Sequence, residues 1–551
     1  IDVVLLVVAA DEGIKPQTRE HFDIVRLLNI PRGIAVLTKS DLVDAETLDV
    51  VRLEVEEHLR GSFLEGAPTV PVSSKTGAGL DDLKRALALV ASEVRAKDSQ
   101  AAPRLPIDRV FSMKGFGTVV TGTLVSGTIR KEQELQVFPG DRLLRVRGVQ
   151  VHGAPAEQAV AGERTALNLA GVEVSELARG MTLSVPQFRA TARIDVSLSL
   201  LPDAKPLKDR AKVHVHFFTT ETIAEVVLLG PDAGSRSHTL NTGATAYAQL
   251  RMRELWLVLP GDRFIIRQFS PVVTIGGGVV LDAAPLARKT ASKERIAFLQ
   301  TLEPGTHAEV LAARVARRGT AGLTIEAAVA ETGWWPKKLV EDAAANLVRV
   351  GDVLVSSEAY AQAKQEIVAA LAAFHKANPL VSGAGRGELM EKLGLEETVF
   401  HSLMETLVRE KKLEVSGEQV RLAGHGVAMK DDEAESQRQI EQAFASAGLK
   451  VPALKDVLAG LKVDRVRAQK IVTLLLRDRV LVKLSDDLVF HRDALDSLRK
   501  TLAAQKATSP KIDVAKFKDL AGVSRKYAIP LLEWLDRERV TRRVGDERII
   551  L

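Results

Sequence analysis

Two polar loops near the start of the chain carry side chains that could bind a ligand. Thr38-Lys39-Ser40-Asp41 follows the apolar segment Gly33–Leu37, and Ser73-Ser74-Lys75-Thr76-Gly77 follows Thr69–Val72. An Asp carboxylate can accept the hydrogens at N1 and N2 of guanine, which adenine does not present, and a lysine stem can cover the base. Either loop alone would fit a solvated strand end. Together they predict a guanine pocket made of Thr38, Lys39, Asp41, Ser73, Ser74 and Lys75.

The pattern around these loops predicts the parallel sheet that would position them. Residues 1–96 alternate apolar strands with amphipathic helices. The expected strands are Ile1–Ala10, Gly33–Leu37 and Thr69–Val72, and the expected helices are Gln17–Leu28, Ala45–Leu59 and Leu80–Val94. This alternation is typical of an α/β domain, in which ligands bind at the carboxyl ends of the strands.

The pattern changes twice after the polar linker Lys97–Arg104. From Leu105 to about Asp282, short strands alternate with Gly and Pro turns, which predicts one or two β-barrels. From Ser292 onward amphipathic helices dominate, and one pattern occurs four times: a helix ending in Leu-x-Arg, a strand, a polar turn and a second strand. The four copies of Leu-x-Arg are Leu347-Val-Arg349, Leu407-Val-Arg409, Leu475-Leu-Arg477 and Leu535-Asp-Arg537. Helices followed by a hairpin describe a winged helix, although helical modules that bind protein are the alternative.

Composition limits the class of protein. A chain of 551 residues is too long for one core, and its net charge of +5 permits a polyanionic partner without requiring one. Cysteine is absent, which excludes disulfides and thiolate metal sites. We expect no bound metal, since His214 and His216 have no evident third ligand. No apolar run is long enough for a membrane span.

We interpret Trp334-Trp335-Pro336 as core packing at the start of the first module's recognition helix.

Longer motifs then show a resemblance to the translational GTPases. The two loops resemble the fourth and fifth motifs of that superfamily, with Thr38 replacing the commoner Asn. Ala10-Asp-Glu-Gly-Ile-Lys-Pro-Gln-Thr-Arg-Glu-His21 resembles the segment after their third strand. Lys114-Gly-Phe-Gly-Thr-Val-Val-Thr-Gly-Thr-Leu-Val-Ser-Gly-Thr-Ile129 is similar to the start of their second domain. Arg263-Phe-Ile-Ile-Arg-Gln268 and Thr274-Ile-Gly-Gly-Gly278 look like the close of their third domain.

Within that superfamily the chain resembles the selenocysteine-specific elongation factors of bacterial type. The Thr-Lys-x-Asp variant and the Thr-Ile-Gly-Gly-Gly ending both fit, and some 260 residues follow the third domain. Val523-Ser-Arg-Lys-Tyr-Ala-Ile-Pro-Leu-Leu-Glu533 and Thr541-Arg-Arg-Val-Gly-Asp-Glu547 look like that family's last winged helix. The resemblance implies a cytoplasmic, monomeric factor that binds GTP, selenocysteinyl-tRNA, an mRNA hairpin and the ribosome, and no membrane.

The resemblance also implies a multidomain fold: a partial α/β P-loop-type GTPase domain, two β-barrels and tandem, mostly helical winged-helix modules. The barrel called domain two would hold the aminoacyl end of the tRNA, and the last winged module would hold the mRNA hairpin. The expected boundaries are 1–96 for the C-terminal part of the GTPase domain, 105–187 and 188–285 for barrel domains two and three, and 292–360, 361–428, 432–492 and 493–551 for winged helices one to four.

Three charged residues match the family's aminoacyl pocket. Ile107-Asp108-Arg109 opens the barrel domain, and the family pattern Ala-Gly-x-Arg recurs as Ala161-Gly-Glu-Arg164. By resemblance Asp108, Arg109 and Arg164 belong to that pocket. A selenol is largely ionised near neutral pH, unlike the hydroxyl of serine, so an Arg guanidinium would favour selenocysteine. A surface ion pair on the barrel is the alternative interpretation.

The last module offers the candidate RNA site. Ser524-Arg525-Lys526-Tyr527 would begin its recognition helix, and Arg542 and Arg543 lie beside the expected turn Gly545-Asp546. A helix N-terminus with adjacent cations suits phosphate, and Tyr527 could stack on an unpaired base. A solvated basic face is the alternative.

The sequence also lacks elements that GTP hydrolysis requires. No G-x-x-x-x-G-K-[ST] motif occurs in the 551 residues, and the family's Asp-x-x-Gly motif and water-positioning His would precede Ile1. We therefore expect a truncated form of a longer protein, with no catalytic residue and no hydrolysis, whereas the full-length family member would bind GTP with Mg²⁺. Another translational GTPase and a winged-helix nucleic-acid-binding regulator are the alternatives.

Overall fold

A computed structural model describes most of the chain as two compact units, Ile1–Tyr360 and Ala361–Leu551. The described residues are 1–115, 117–230, 239–286, 293–341, 346–378, 381, 383–424, 431–485, 488–545 and 547–551. Phe116, Ser292 and Asp546, which the sequence motifs include, lie outside them. No helix in the described ranges is long and apolar enough to cross a membrane.

The first unit begins with a three-stranded parallel sheet in the order β1-β2-β3. The central strand β2 is apolar and almost entirely buried, whereas β1 leaves Leu5 and Val7 exposed on one face. Pro16 starts the first helix, where its missing N–H costs nothing, and the Asp44 carboxylate caps the second by accepting from the Thr47 amide at 2.8 Å. The elements are β1 (Val4–Ala9), α1 (Pro16–Leu27), β2 (Gly33–Thr38), α2 (Ala45–Leu59), β3 (Thr69–Pro71) and α3 (Leu80–Ser92).

The next segment forms a barrel, because β11 pairs with both β5 and β8 and so closes the sheet order β11-β5-β4-β12-β7-β8. Alternate residues of each strand fill its interior, including Ile107, Val120 and Leu167. Its strands are β4 (Arg104–Met113), β5 (Gly117–Thr123), β6 (Thr128–Arg130), β7 (Glu134–Phe138), β8 (Leu143–Val151), β9 (Ala154–Ala156), β10 (Gln158–Val160), β11 (Arg164–Leu169) and β12 (Thr182–Ser184).

A second closed barrel follows, in the order β13-β18-β16-β15-β19-β20, so the sequence pattern from Leu105 contains two barrels. A buried, bidentate ion pair joins the two barrels: the Arg104 guanidinium donates to both carboxylate oxygens of Asp262, at 3.0 and 2.7 Å. The strands are β13 (Thr191–Leu200), β14 (Leu207–Lys208), β15 (Lys212–Phe217), β16 (Thr220–Leu228), β17 (Thr239–Leu240), β18 (Thr245–Trp256), β19 (Arg263–Arg267) and β20 (Thr274–Asp282).

A winged helix ends the first unit. Gly333, at φ 78°, separates the two helices of its helix-turn-helix, and the hairpin β22–β23 is its wing. Its elements are α4 (Lys293–Leu302), α5 (His307–Ala316), β21 (Leu323–Thr324), α6 (Ile325–Thr332), α7 (Pro336–Glu341), β22 (Leu347–Val350) and β23 (Val353–Ser356). One sequence prediction is wrong here: Leu347-Val-Arg349 lies in the wing strand β22 and not at the end of a helix. The β-branched residues Val348 and Val350 favour a strand.

The second unit contains further helix-hairpin repeats. In these, Leu-x-Arg does end the long helix, as Arg409, Arg477 and Arg537 are the last residues of α10, α13 and α16. The elements are α8 (Ser357–Ala377), which begins before the division, β24 (Ala384–Gly385), α9 (Arg386–Leu393), α10 (Glu397–Arg409), β25 (Leu413–Ser416), β26 (Gln419–Leu422), α11 (Asp431–Ala447), α12 (Leu454–Ala459), α13 (Arg465–Arg477), β27 (Leu481–Ser485), β28 (Leu488–His491), α14 (Arg492–Thr508), β29 (Lys511–Asp513), α15 (Val514–Ala521), α16 (Arg525–Arg537), β30 (Thr541–Val544) and β31 (Glu547–Ile550).

Candidate functional site

The two loops predicted to read guanine lie side by side. They follow β2 and β3, which are adjacent parallel strands, and the Ser40 amide donates to the Val72 carbonyl at 3.2 Å. Lys39 has a φ of 57°, a left-handed conformation that turns the chain sharply after β2. The structure therefore brings both loops to the carboxyl edge of the sheet, where α/β domains bind ligands.

Asp41 and Ser73 join the two loops directly. A hydrogen bond from the Ser73 hydroxyl lowers the pKa of the Asp41 carboxyl, and the charge of Lys75 lowers it further. Ser73 is fully buried and its hydroxyl also accepts from the Thr76 amide at 3.1 Å, so it is held in place. Asp41 is consequently ionised at neutral pH, which is the form that accepts two hydrogen bonds from guanine.

Lys39 contacts a third loop, which sequence reasoning did not connect to the pocket. Its ammonium donates to Asp11 Oδ2 at 2.9 Å and Glu12 Oε1 at 3.3 Å, and these hydrogen bonds raise its pKa. Asp11 and Glu12 follow β1, within the segment quoted above for its family resemblance. Ser74 and Lys75 are exposed, whereas Thr38 turns back and its hydroxyl donates to the Val8 carbonyl at 3.4 Å.

The predicted aminoacyl residues form one cluster on the first barrel. Arg164 begins β11 and Asp108 lies in β4, and the Arg164 guanidinium forms an ion pair with the Asp108 carboxylate, with Nη2 to Oδ1 at 3.0 Å. Thr121 on β5 donates its hydroxyl to the same carboxylate at 2.7 Å. A β-bulge between Ile107 and Arg109 re-aims this part of β4. Sequence reasoning found the charged pair but missed Thr121.

The Asp108 carboxylate is held in its ionised form. Burial alone would raise its pKa, but hydrogen bonds from Arg164 and Thr121 and the nearby charge of Arg109 bring it below its ordinary value. The pairing with Asp108 likewise raises the pKa of Arg164. Arg109 itself is exposed. The cluster thus offers a fixed carboxylate and two cations at the barrel surface.

Asp108 also faces a cavity of about 820 Å³ between α1 and the two barrels. Pro106 and Thr123 line it from the first barrel, and His216 and Arg263 line it from the second. Burial lowers the pKa of both His216 and Arg263. His216 is therefore neutral at physiological pH. No cluster of three or more His, Cys, Asp or Glu suited to a metal occurs among the described residues.

The candidate RNA residues occupy two elements of the last winged helix. Arg525 and Lys526 are exposed in the first turn of α16, which begins after Ser524. Arg542 and Arg543 are exposed on the wing strand β30, and Arg543 donates to the Gly545 carbonyl at 3.3 Å. The cations therefore lie where a winged helix meets nucleic acid, on the recognition helix and the wing.

Tyr527 has a different environment from the one expected for a base-stacking residue. It is half-buried, its hydroxyl donates to the Val451 carbonyl at 3.1 Å, and the Lys526 ammonium lies 5.7 Å from the centre of its ring. Tyr527 therefore ties α16 to the preceding winged module. Tyr527 is the third residue of α16. Its place in the sequence did not show whether the ring packs against the protein or is free to stack on a base.

Sequence reasoning also missed the residues that fix the wing to the recognition helix. Arg548 on β31 is mostly buried and donates to Asp536 Oδ2 at 2.9 Å. Thr541 donates to the other carboxylate oxygen of Asp536 at 2.6 Å. Because Asp536 lies in α16, these bonds orient the strand that carries Arg542 and Arg543.

Models of known families match most of the chain. The matched descriptions are Elongation factor Tu GTP binding domain for residues 1–93, Elongation factor Tu domain 2 for 117–184, the beta-barrel domain of the selenocysteine-specific elongation factor for 191–287, and the winged helix of elongation factor SelB for 368–422 and again for 504–550.

Individual relatives match over the full length. The selenocysteine-specific elongation factor of Desulfomicrobium baculatum is 37% identical to this chain, and the alignment covers 100% of this chain and 88% of that protein. The selenocysteine-specific elongation factor of Escherichia coli is 28% identical, and the alignment covers 100% of this chain and 86% of that protein. A crystal structure of the bacterial selenocysteine-specific elongation factor EF-Sec matches with a TM-score of 0.65 at 25% identity, covering 100% of this chain and 86% of the other.

The α/β sheet with its two polar loops, the two barrels and the tandem winged helices define a translation elongation factor of the GTPase superfamily. The match across the whole length narrows this class. The chain belongs to the family of selenocysteine-specific elongation factors.

Proposed function

We propose that the chain binds selenocysteinyl-tRNA and an mRNA hairpin, and so delivers selenocysteine to the ribosome at recoded UGA codons. The observation that carries the proposal is the presence of two sites in one chain: the Asp108–Arg164 cluster on a barrel and the exposed cations of the last winged helix. A factor for bulk aminoacyl-tRNA has no need of the second site. We infer that the protein acts in the cytoplasm, as a monomer.

The aminoacyl cluster suits a residue that carries an anion. Arg164 already pairs with the Asp108 carboxylate and has further N–H donors, and the exposed Arg109 is close enough to lower the pKa of the same carboxyl. A selenolate could accept from these donors, whereas the neutral hydroxyl of serine gains less from a guanidinium. We infer that this charge difference is the basis of amino acid selection.

The guanine loops support GTP as the cofactor. Asp41 is ionised and joined to Ser73, and Lys39 lies beside it, so the residues present fit the base. Bound GTP would supply the phosphoanhydride bond that is hydrolysed, and in the family's full-length members Mg²⁺ would be the counter-ion of the phosphates. We also retain the predicted domain boundaries, 1–96, 105–187, 188–285, 292–360, 361–428, 432–492 and 493–551, as proposals.

Hydrolysis of GTP is a property of the superfamily, but we propose that these 551 residues do not perform it. The sequence contains no G-x-x-x-x-G-K-[ST] loop to hold the phosphates. Incubating the purified 551-residue chain with GTP and Mg²⁺ should release phosphate at the uncatalysed background rate. Magnesium-dependent turnover above that background would contradict the proposal.

A DNA-binding regulator built on winged helices is the second candidate, because the same recognition helix and wing can read duplex DNA. Fluorescence anisotropy with an RNA hairpin and with a DNA duplex of equal charge separates the two. We expect the hairpin to bind more tightly and to resist competition by the duplex. Tighter binding to the duplex would favour the regulator and contradict our proposal.

A further inference from the structure

The first winged helix is joined to the second barrel by charged side chains that are almost completely buried. Asp282, the last residue of β20, is 1% exposed, and Arg314 on α5 is fully buried. Arg314 donates to Asp282 Oδ1 at 2.8 Å and to the Leu281 carbonyl at 3.1 Å. Nearby Arg317 donates to Asp282 Oδ2 at 2.6 Å. One barrel carboxylate therefore accepts from two guanidinium groups of the module.

Glu331 on α6 completes this network from within the module. It is 4% exposed and accepts from Arg314 at 3.2 Å and from Arg317 at 2.7 Å, and it also pairs with Arg318. The two arginines hold the pKa of Asp282 at about 2, although burial alone would raise it. A buried charge is tolerated only while its partners stay in place, so the network holds the module in one orientation on the barrel.

A second ion pair lies on the neighbouring strand. Asp195 on β13 is directly opposite Asp282 in the barrel and is 2% exposed. Arg295 on α4 donates from Nε to Asp195 Oδ2 at 2.8 Å, and Gln249 donates to Oδ1 at 3.1 Å. Two adjacent barrel carboxylates thus meet arginines from two different helices of the module.

Apolar side chains extend the contact to both barrels. Trp334 and Trp335, which directly precede α7, share a buried cluster with residues of the barrel strands and of the segments beside them. The barrel-side members of that cluster are Ala102, Phe138, Val185, Phe188, Ala190, Leu257 and Leu259. Gly333 approaches Leu259 so closely that an added Cβ would lie 2.9 Å from a Leu259 methyl carbon. The two residues that precede the module's recognition helix therefore pack against barrel-side residues.

The residue directly before the recognition helix is exposed in the other winged helices: Ser524 before α16, Asp464 before α13 and Glu396 before α10. In the first module the two residues before α7 are the half-buried Trp334 and Trp335, although Pro336, the first residue of α7, is itself exposed. We propose that the first winged helix is a protein-docking module whose partner is the barrel pair of its own chain, and that its recognition helix takes no part in binding RNA.

Electron–electron distance measurement tests the docking directly, and the absence of cysteine in the chain permits specific labelling. Spin labels would replace the exposed residues Lys205 on the second barrel and Asp352 at the module's wing turn. We expect one narrow distance distribution in the 551-residue chain. A broad distance distribution in the chain that carries only the two spin labels would overturn the proposal.

Two sets of variants assign the docking to the buried network. Asp282→Asn with Glu331→Gln keeps side-chain shape but removes two buried carboxylates, and should broaden the distribution. The matched control, Glu326→Gln, breaks the pair with Arg189, whose side chain is 77% exposed, and should leave the distribution narrow. An unchanged distribution in the double variant would overturn the proposal.

If that double variant does not fold, Arg317→Lys provides the same test, because a lysine cannot present a fork of two donors to Asp282 and Glu331. It too should broaden the distribution. Photo-crosslinking to a 4-thiouridine hairpin adds an RNA readout, in which α16 should crosslink and α7 should not. A crosslink in α7 overturns the proposal, whereas no crosslink anywhere counts against hairpin binding and leaves the distance result standing.

Discussion

Replacing Arg542 and Arg543 with alanine should reduce mRNA hairpin affinity roughly 100-fold or more while leaving tRNA affinity unchanged. Each side chain is exposed on the wing strand and is expected to contact phosphate. A hydrogen bond to a charged group contributes about 1.5–3 kcal/mol, and about 1.4 kcal/mol corresponds to a tenfold change in affinity. The slope of log affinity against log salt should fall by about 2. Fluorescence anisotropy at several salt concentrations measures both.

The matched control removes two cations from the same module but from another helix. Lys500 and Lys506 are exposed on α14, and their replacement by alanine changes net charge by the same amount. Equal losses in the two double variants would show that only overall charge matters and would contradict a hairpin site on the wing.

Removing residues 490–551 would also delete the proposed hairpin site, but its result would be harder to interpret than that of point substitutions. That deletion would cut through β28, remove the fully buried Phe490 and expose the core that the last two modules share. A loss of binding after such a deletion would report unfolding as readily as recognition.

Arg164→Ala should weaken binding of selenocysteinyl-tRNA by roughly 10- to 100-fold, and binding of seryl-tRNA much less. The selenolate loses a charge-assisted hydrogen bond of about 1.5–3 kcal/mol. The variant also leaves the Asp108 carboxylate without its arginine partner, and this negative charge opposes a selenolate but not a neutral hydroxyl. Equilibrium binding of the two tRNAs to the 551-residue chain measures the ratio.

Arg145→Ala is the control for this substitution. Arg145 is an exposed arginine of the same barrel and pairs with Glu132. It lies away from Arg164, because its carbonyl accepts from the Ala170 amide, next to the end of β11 opposite to the one that Arg164 begins. It should leave the preference for selenocysteine unchanged. Equal losses of both tRNAs in Arg164→Ala would refute a role of Arg164 in amino acid selection.

The strand and helix order of the first 96 residues could be predicted, because apolar periodicity directly records which face of each element is buried. The predicted helix Ala45–Leu59 has the same bounds in the structure. The proximity of the two loops predicted to bind guanine could be foreseen for a related reason: parallel strands bring their carboxyl ends to one edge. The sequence could not show that Lys39 pairs with Asp11 and Glu12, since this contact joins separate loops.

Two other features depend on contacts that the sequence motifs alone did not indicate. Tyr527 carries an aromatic ring suited to stacking, but its hydroxyl bonds to Val451 in the preceding module. Leu347 and Arg349 match a helix-ending pattern, yet pairing with Ser356 and Leu354 places them in a strand. A contact between modules decides the role of Tyr527, whereas Leu347 and Arg349 follow the hairpin that their β-branched neighbours favour. The buried network around Arg314 was likewise hidden, because arginines on an amphipathic helix usually face solvent.

The most direct test of the whole account is a competition between charged tRNAs for the 551-residue chain. Labelled selenocysteinyl-tRNA would be bound at equilibrium and challenged with a large excess of bulk aminoacyl-tRNA. We predict that the bulk tRNA leaves the complex intact while unlabelled selenocysteinyl-tRNA displaces the label. Displacement by bulk aminoacyl-tRNA at concentrations as low as those of selenocysteinyl-tRNA would contradict a selenocysteine-specific function.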